Sequence, residues 1–171
     1  METARGERKP AARGRKSKLP RILHTGRTGL LVILVVSLIN QLLLLLDIKY
    51  YLLFGASVPY YLNWLGQELS IYHQVTAYKV IAVLLSLVVY GMYVRCWVMS
   101  AKNWKYMRIG LMLYVVDTVF MVIFALVFLQ NPLSCILWFF VHLVGLVVLY
   151  RAANAGEQLA KRSRRRPVTQ E

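Results

Sequence analysis

Residues 107–152 read MRIGLMLYVVDTVFMVIFALVFLQNPLSCILWFFVHLVGLVVLYRA. Two apolar stretches, 107–130 and 133–152, are parted by Asn131-Pro132. A helix crossing the hydrocarbon core of a bilayer needs about 20 mostly apolar residues, because ~30 Å is covered at 1.5 Å per residue. Both stretches meet that length. Proline cannot continue a helix, and Asn-Pro marks a turn, so the pair predicts an antiparallel hairpin of two spans. Upstream, residues 28–46 (TGLLVILVVSLINQLLLLL) and 75–99 meet the same criterion. The expectation is an all-α integral membrane protein with four transmembrane helices in a bundle.

Composition agrees. Of 171 residues, 58% are hydrophobic and 16% charged, against about 45–50% and 25% in soluble domains. The 21 Lys and Arg outnumber the 7 Asp and Glu, for a net charge of +14. A chain both apolar and basic keeps the two properties apart, which excludes a soluble globular domain and a wholly disordered tail. Nineteen of the 21 basic residues fall before 28, between Arg95 and Arg108, or from Arg151 onward. With four spans these stretches share one side of the bilayer, and Lys49 and Lys79 are left on the other. The excess of Lys and Arg on cytoplasmic segments then predicts both termini inside, N-in and C-in. Residues 28–154 form the membrane domain. Residues 1–27 and 155–171 are basic cytoplasmic segments expected to be disordered. The first apolar run lacks a small-residue cleavage site and reads as a retained signal-anchor; the plasma membrane is the expected location.

The basic ends resemble nucleic-acid patches in composition alone. At the ends of spans they are explained by orientation and by attraction to an anionic inner leaflet, with Arg95, Lys102, Lys105, Arg108, Arg162, Arg164, Arg165 and Arg166 as the lipid contacts. No nucleic-acid partner is expected.

The outer segment 47–74, DIKYYLLFGASVPYYLNWLGQELSIYHQ, is too apolar for a solvated loop and too broken for a span. Tyr50, Tyr51, Phe54, Tyr60, Tyr61 and Trp64 make it an aromatic cluster of the kind that prefers the headgroup boundary. Ser57, followed by Pro59, fits the N-cap of a short helix running to about Gly66. Such a helix is expected to lie in the outer interface or fold back over the bundle mouth.

Polar residues inside the spans mark the bundle interior. Ser37, Asn40 and Gln41 share a face of the first span. Thr76, Lys79, Ser86, Tyr90 and Tyr93 share one on the second, Gly110, Tyr114, Asp117, Thr118 and Met121 one on the third, and Cys135, Trp138, His142 and Gly145 one on the fourth. Counted along the helices, Asn40, Ser86, Asp117 and His142 all lie ~14–18 Å from the cytoplasmic end. A midplane polar cluster of Asn40, Gln41, Ser86, Asp117 and His142 follows. It serves either as hydrogen-bonded glue between helices or, through an Asp117–His142 pair, as a proton- or ion-coupling centre. Lys79 is expected to reach water or Glu68.

No nucleophilic, phosphate-binding or metal-binding pattern is present. His24, His73 and His142 are too dispersed to share a metal, and Cys96 and Cys135 fall near opposite ends of the bundle, too far apart for a disulfide. No cofactor and no enzymatic activity are expected. Two functions remain: an accessory or interaction subunit that contacts a membrane-protein partner, and a small transporter or channel, oligomeric because four helices rarely enclose a pathway.

Overall fold

The computed structural model describes residues 18–48, 52, 55–128 and 132–164, without the side chains of 128, 132–135 and 164. These residues form five helices: α1 Leu19–Leu45, α2 Ser57–His73, α3 Ala77–Met99, α4 Lys105–Phe128 and α5 Pro132–Arg164. No strand occurs among them. Four helices, α1, α3, α4 and α5, are long and apolar enough to cross a membrane. Only 28–33% of their most apolar windows is buried. The rest is aliphatic and exposed, as at Leu42, Val88, Val116 and Phe140. That is the surface of a bundle whose solvent is lipid.

The apolar runs understate two helices. α1 begins at Leu19 rather than Thr28, with Pro20 in its first turn, where a missing N–H costs nothing. α5 continues to Arg164 instead of ending near Ala152. Its extension is held by packing: Ala152, Ala153 and Ala155 are buried, and Gly156 lies against Trp104 and Leu23. Glu157 also pairs with Arg108 of α4 and, at 2.8 Å, with Lys161 one turn on. Parts of both basic segments are therefore helical.

Helices α1 and α5 run antiparallel. Gly26 faces Ala152 and Gly29 faces Val148, and the missing side chains let the two backbones approach. Leu30, Met107, Leu149 and Cys96 fill the core at this end of the bundle, which also carries Arg95, Lys102, Lys105 and Arg108 and is called the basic end below.

At the far end, α1 and α2 close in the same way. Asp47 and Gln74 both take the left-handed conformation at φ 55°. The Ile48 N–H bonds the Leu43 carbonyl and the Asp47 N–H that of Leu44; Val75 and Gln74 repeat the pattern on Ser70 and Ile71. Paired 6→1 and 5→2 bonds of this kind end a helix and reverse the chain. Beyond the first reversal, Leu52 meets Asn40 and Ala56 meets Ser37 of α1. α2 then climbs from the middle of the bundle to the far end, packed most extensively on α3.

The short helix expected to lie in the outer interface or fold back over the bundle mouth is a 17-residue helix whose first turn is buried among the others. It also passes Gly66, the expected stop. Gly66 has no positive φ; any Cβ there would run into Ala82 and lie 3.0 Å from the Tyr78 carbonyl, so the residue serves close packing on α3.

Candidate functional site: a buried polar cradle for helix α2

A helix leaves its first four N–H groups without intrahelical partners, and in an apolar interior each must find another. For α2 those groups belong to Ala56, Ser57, Val58 and Pro59. Ala56, extended at φ −69° and ψ 132°, is the N-cap, and its N–H donates to Ser37 Oγ at 2.6 Å. The Ser57 N–H donates to Asp117 Oδ2 at 2.9 Å and the Val58 N–H to Asp117 Oδ1 at 2.8 Å. Pro59 has no N–H. All four positions are accounted for by two side chains from α1 and α4 and one proline.

The carboxylate does a second thing. The N-terminus of a helix carries about half a positive charge, which favours an anion beside it. Asp117, 2% exposed, is the acid placed there. α2 has no acidic residue in its own first turn, so the counter-charge comes entirely from α4.

His142 of α5 completes the cradle. Its Nε2 lies 3.1 Å from Ser57 Oγ and 3.5 Å from Asp117 Oδ2, and its Nδ1 lies 3.0 Å from the Trp138 carbonyl oxygen. A carbonyl only accepts, so Nδ1 bears the hydrogen. In the neutral ring, Nε2 then accepts from the Ser57 hydroxyl. Tyr114 stacks flat on the imidazole, centroids 5.3 Å apart and planes within 3°.

A second group of polar side chains holds α2 one turn higher. Asn63 Nδ2 lies 2.8 Å from Gln41 Oε1, 2.5 Å from Ser86 Oγ and 2.8 Å from the Pro59 carbonyl, and shares its two hydrogens among these three acceptors. The single Ser86 hydroxyl hydrogen is shared between the Ala82 carbonyl at 2.9 Å and the Pro59 carbonyl at 3.1 Å. Asn40 grips the backbone of Leu52: its Nδ2 donates to the Leu52 carbonyl at 2.8 Å and its Oδ1 accepts from the Leu52 N–H at 2.7 Å. Tyr90 reaches across to the Ser37 carbonyl.

The five residues expected at the midplane are therefore all in the interior, in two groups and a single clamp rather than one cluster. Asp117 and His142 meet at the start of α2; Gln41 and Ser86 meet through Asn63; Asn40 binds backbone. Their common partner is the segment from Leu52 to Asn63. Asn63 is the member that the sequence reading does not single out; Ser57, expected as the N-cap, is instead the first helical residue after the cap Ala56. The spacing of Pro59, Asn63 and Gly66, four and three residues, is the signal for Asn63, since it places a small or polar stripe on one helical face.

Of the aromatic residues, Tyr61 stacks on Phe124 of α4 with centroids 3.8 Å apart, and Trp64 meets the same ring edge-on at 5.5 Å. Tyr61 is buried, and Tyr60 and Trp64 are half-buried; the Tyr61 and Trp64 rings seat α2 on α4. Tyr50, Tyr51 and Phe54 lie outside the described residues. Among the basic residues, Arg95, Lys102, Lys105 and Arg162 are exposed at the basic end. Arg108 instead ties α4 to Glu157 of α5 and lies over the Trp104 ring at 4.9 Å. Arg165, Arg166 and the Arg164 side chain are outside the described residues. Lys79 is exposed and makes no ion pair with Glu68.

Among the described residues no three His, Cys, Asp or Glu side chains gather closely enough to hold a metal ion. Comparison with protein-family models, with curated proteins and with solved structures returns no match.

Proposed function

We propose that this chain is a non-enzymatic accessory or interaction subunit of the membrane, with both termini cytoplasmic and α2 a re-entrant helix whose far tip meets a partner protein. The observation that carries the reading is the use of Asp117: both of its oxygens are spent on the first N–H groups of α2. Irregular backbone at membrane depth is tolerated only where protein satisfies it. The polar residues of the spans do that work here. Asp117 and His142 are 2% and 1% exposed, so the pair is sealed from both ends of the bundle.

The same geometry argues against a hydrolase built on Ser57 and His142. Asp117 stands on the Nε2 side of the ring, where it cannot orient Nδ1, and it fills the helix N-terminus that would otherwise stabilise an oxyanion. What the fixed α2 leaves free is its tip, where Ile71 is 75% and Tyr72 82% exposed.

The test is a photo-crosslinking phenylalanine at position 72 in native membranes, with the same probe at Val88 as the lipid-facing control. A discrete adduct from 72, absent from 88 and lost on Asp117→Asn, is expected. Equal or absent adducts at both positions overturn the reading. A second reading, proton- or ion-coupled transport in an oligomer, is favoured by the 3.5 Å approach of two titratable groups, Asp117 and His142. It requires that His142→Phe abolish flux in proteoliposomes at unchanged protein level.

A further inference from the structure

A cleft of 370 Å³ lies between α1 and α5, in the half of the bundle toward the basic end. That volume falls within the ~300–1,000 Å³ range of ligand sites. Gly29 and Gly145 are part of its walls. Its wall is graded along its length. His24, Thr25 and Thr28 lie at the end nearest the α1 N-terminus; Val32, Val144 and Val148 make the remainder apolar. Both threonine hydroxyls are turned back on the carbonyls of Arg21 and His24, which leaves the walls greasy up to the last turn. The inner end is Tyr114, whose ring lies over Gly145; a Cβ there would come within 2.7 Å of it.

Charge sits at the polar mouth. Arg21 continues the α1 stripe of residues 25, 28 and 32, and Arg151 continues the α5 stripe of 144 and 148. Both are exposed, and among the described residues neither makes an ion pair. The nearby acid Glu157 is engaged with Arg108 and Lys161.

We infer that the α1–α5 cleft binds one anionic phospholipid, with an acyl chain along the apolar wall toward Tyr114 and the phosphate between Arg21 and Arg151. The inference rests on the membrane-embedded reading and adds a defined site to it. Arginine suits the headgroup because its planar fork bonds phosphate oxygens in pairs. A zwitterionic lipid brings a cation to the same two guanidinium groups and gains less.

The full chain in mild detergent is examined by native mass spectrometry with added phosphatidylglycerol or phosphatidylcholine. Retention of one phosphatidylglycerol, with phosphatidylcholine lost, is the expected result. Val144→Trp, at a position 45% exposed, fills the cleft from its open side and is expected to remove the bound lipid. Arg21→Gln and Arg151→Gln are each expected to weaken binding roughly fivefold. Equal retention of the two lipids, or unchanged binding in Val144→Trp, overturns the site. If that variant does not accumulate, the arginine pair decides alone, with unaltered affinity counting against the proposal. Alkaline carbonate extraction of each variant reports membrane insertion separately, so loss of the site and failure of the membrane reading give different results.

Discussion

Asp117 holds the start of α2 with both carboxylate oxygens, and its removal has a ranked consequence. Asp117→Ala leaves the Ser57 and Val58 N–H groups buried without acceptors, at about 1–3 kcal/mol each. Asp117→Asn keeps one acceptor but turns an amide N–H₂ toward a donor and gives up the charge beside the helix N-terminus. Ser57→Ala keeps both backbone bonds and loses only the hydroxyl to His142, about 1 kcal/mol. Thermal unfolding in detergent should therefore rank Asp117→Ala as least stable, then Asp117→Asn, then Ser57→Ala near wild type. Equal effects would mean that the carboxylate is not the cap. His142→Phe preserves the ring stacked on Tyr114 and is expected to cost about 1–3 kcal/mol through the orphaned Ser57 hydroxyl. The importance of Asp117 and His142 was legible in the sequence, because ionisable residues within a span are costly and need a reason. Their partner was not. Periodicity assigns a residue to a helix face; it does not say that a backbone from another part of the chain will arrive opposite that face.

Helix α2 is where element-level reading fell short. Its mean hydropathy is too low for a span, its aromatic residues suit a headgroup boundary, and Gly66 looks like a stop. Each inference is sound locally. The tertiary structure overrides them by supplying, from α1 and α4, the caps that the segment lacks, and by using Gly66 for contact with α3. Two glycines separate these roles experimentally. Gly66→Ala drives a Cβ into Ala82 and against the Tyr78 carbonyl, and overpacking of this kind costs about 1–3 kcal/mol. Combining it with Ala82→Gly should restore part of the loss, the backbone carbonyl keeping the remainder. Gly91→Ala, with nothing within 4 Å of its Cβ, should be neutral or stabilise α3 by up to about 1 kcal/mol. Comparing melting temperatures of the four proteins checks both statements; a loss at Gly91 matching that at Gly66 would mean that the contact with Ala82 and the Tyr78 carbonyl is not what makes Gly66 necessary.

At the scale of the whole molecule, the basic end and the far end of the bundle differ in charge, and the proposed orientation turns that difference into accessibility. Lys102 lies in the α3–α4 turn at the basic end, and Ile71 at the tip of α2. In a background with both native cysteines changed to serine, Ile71→Cys should react with a membrane-impermeant maleimide on intact cells. Lys102→Cys should react only after permeabilisation, because its side of the bilayer carries the Lys and Arg excess. Val58→Cys separates a re-entrant α2 from one lying on the surface. Both begin on the same side as Ile71, so a surface helix would label at 58 and 71 alike, from outside. A re-entrant helix places 58 some 13 residues below the tip, ~20 Å along its axis, half-buried and bonded to Asp117. Labelling at 71 without labelling at 58, on intact and permeabilised cells, is the expected pattern. Labelling at 58 restored by Asp117→Ala would then tie depth to the carboxylate, since an uncapped helix start has lost the group that holds it inside the bundle.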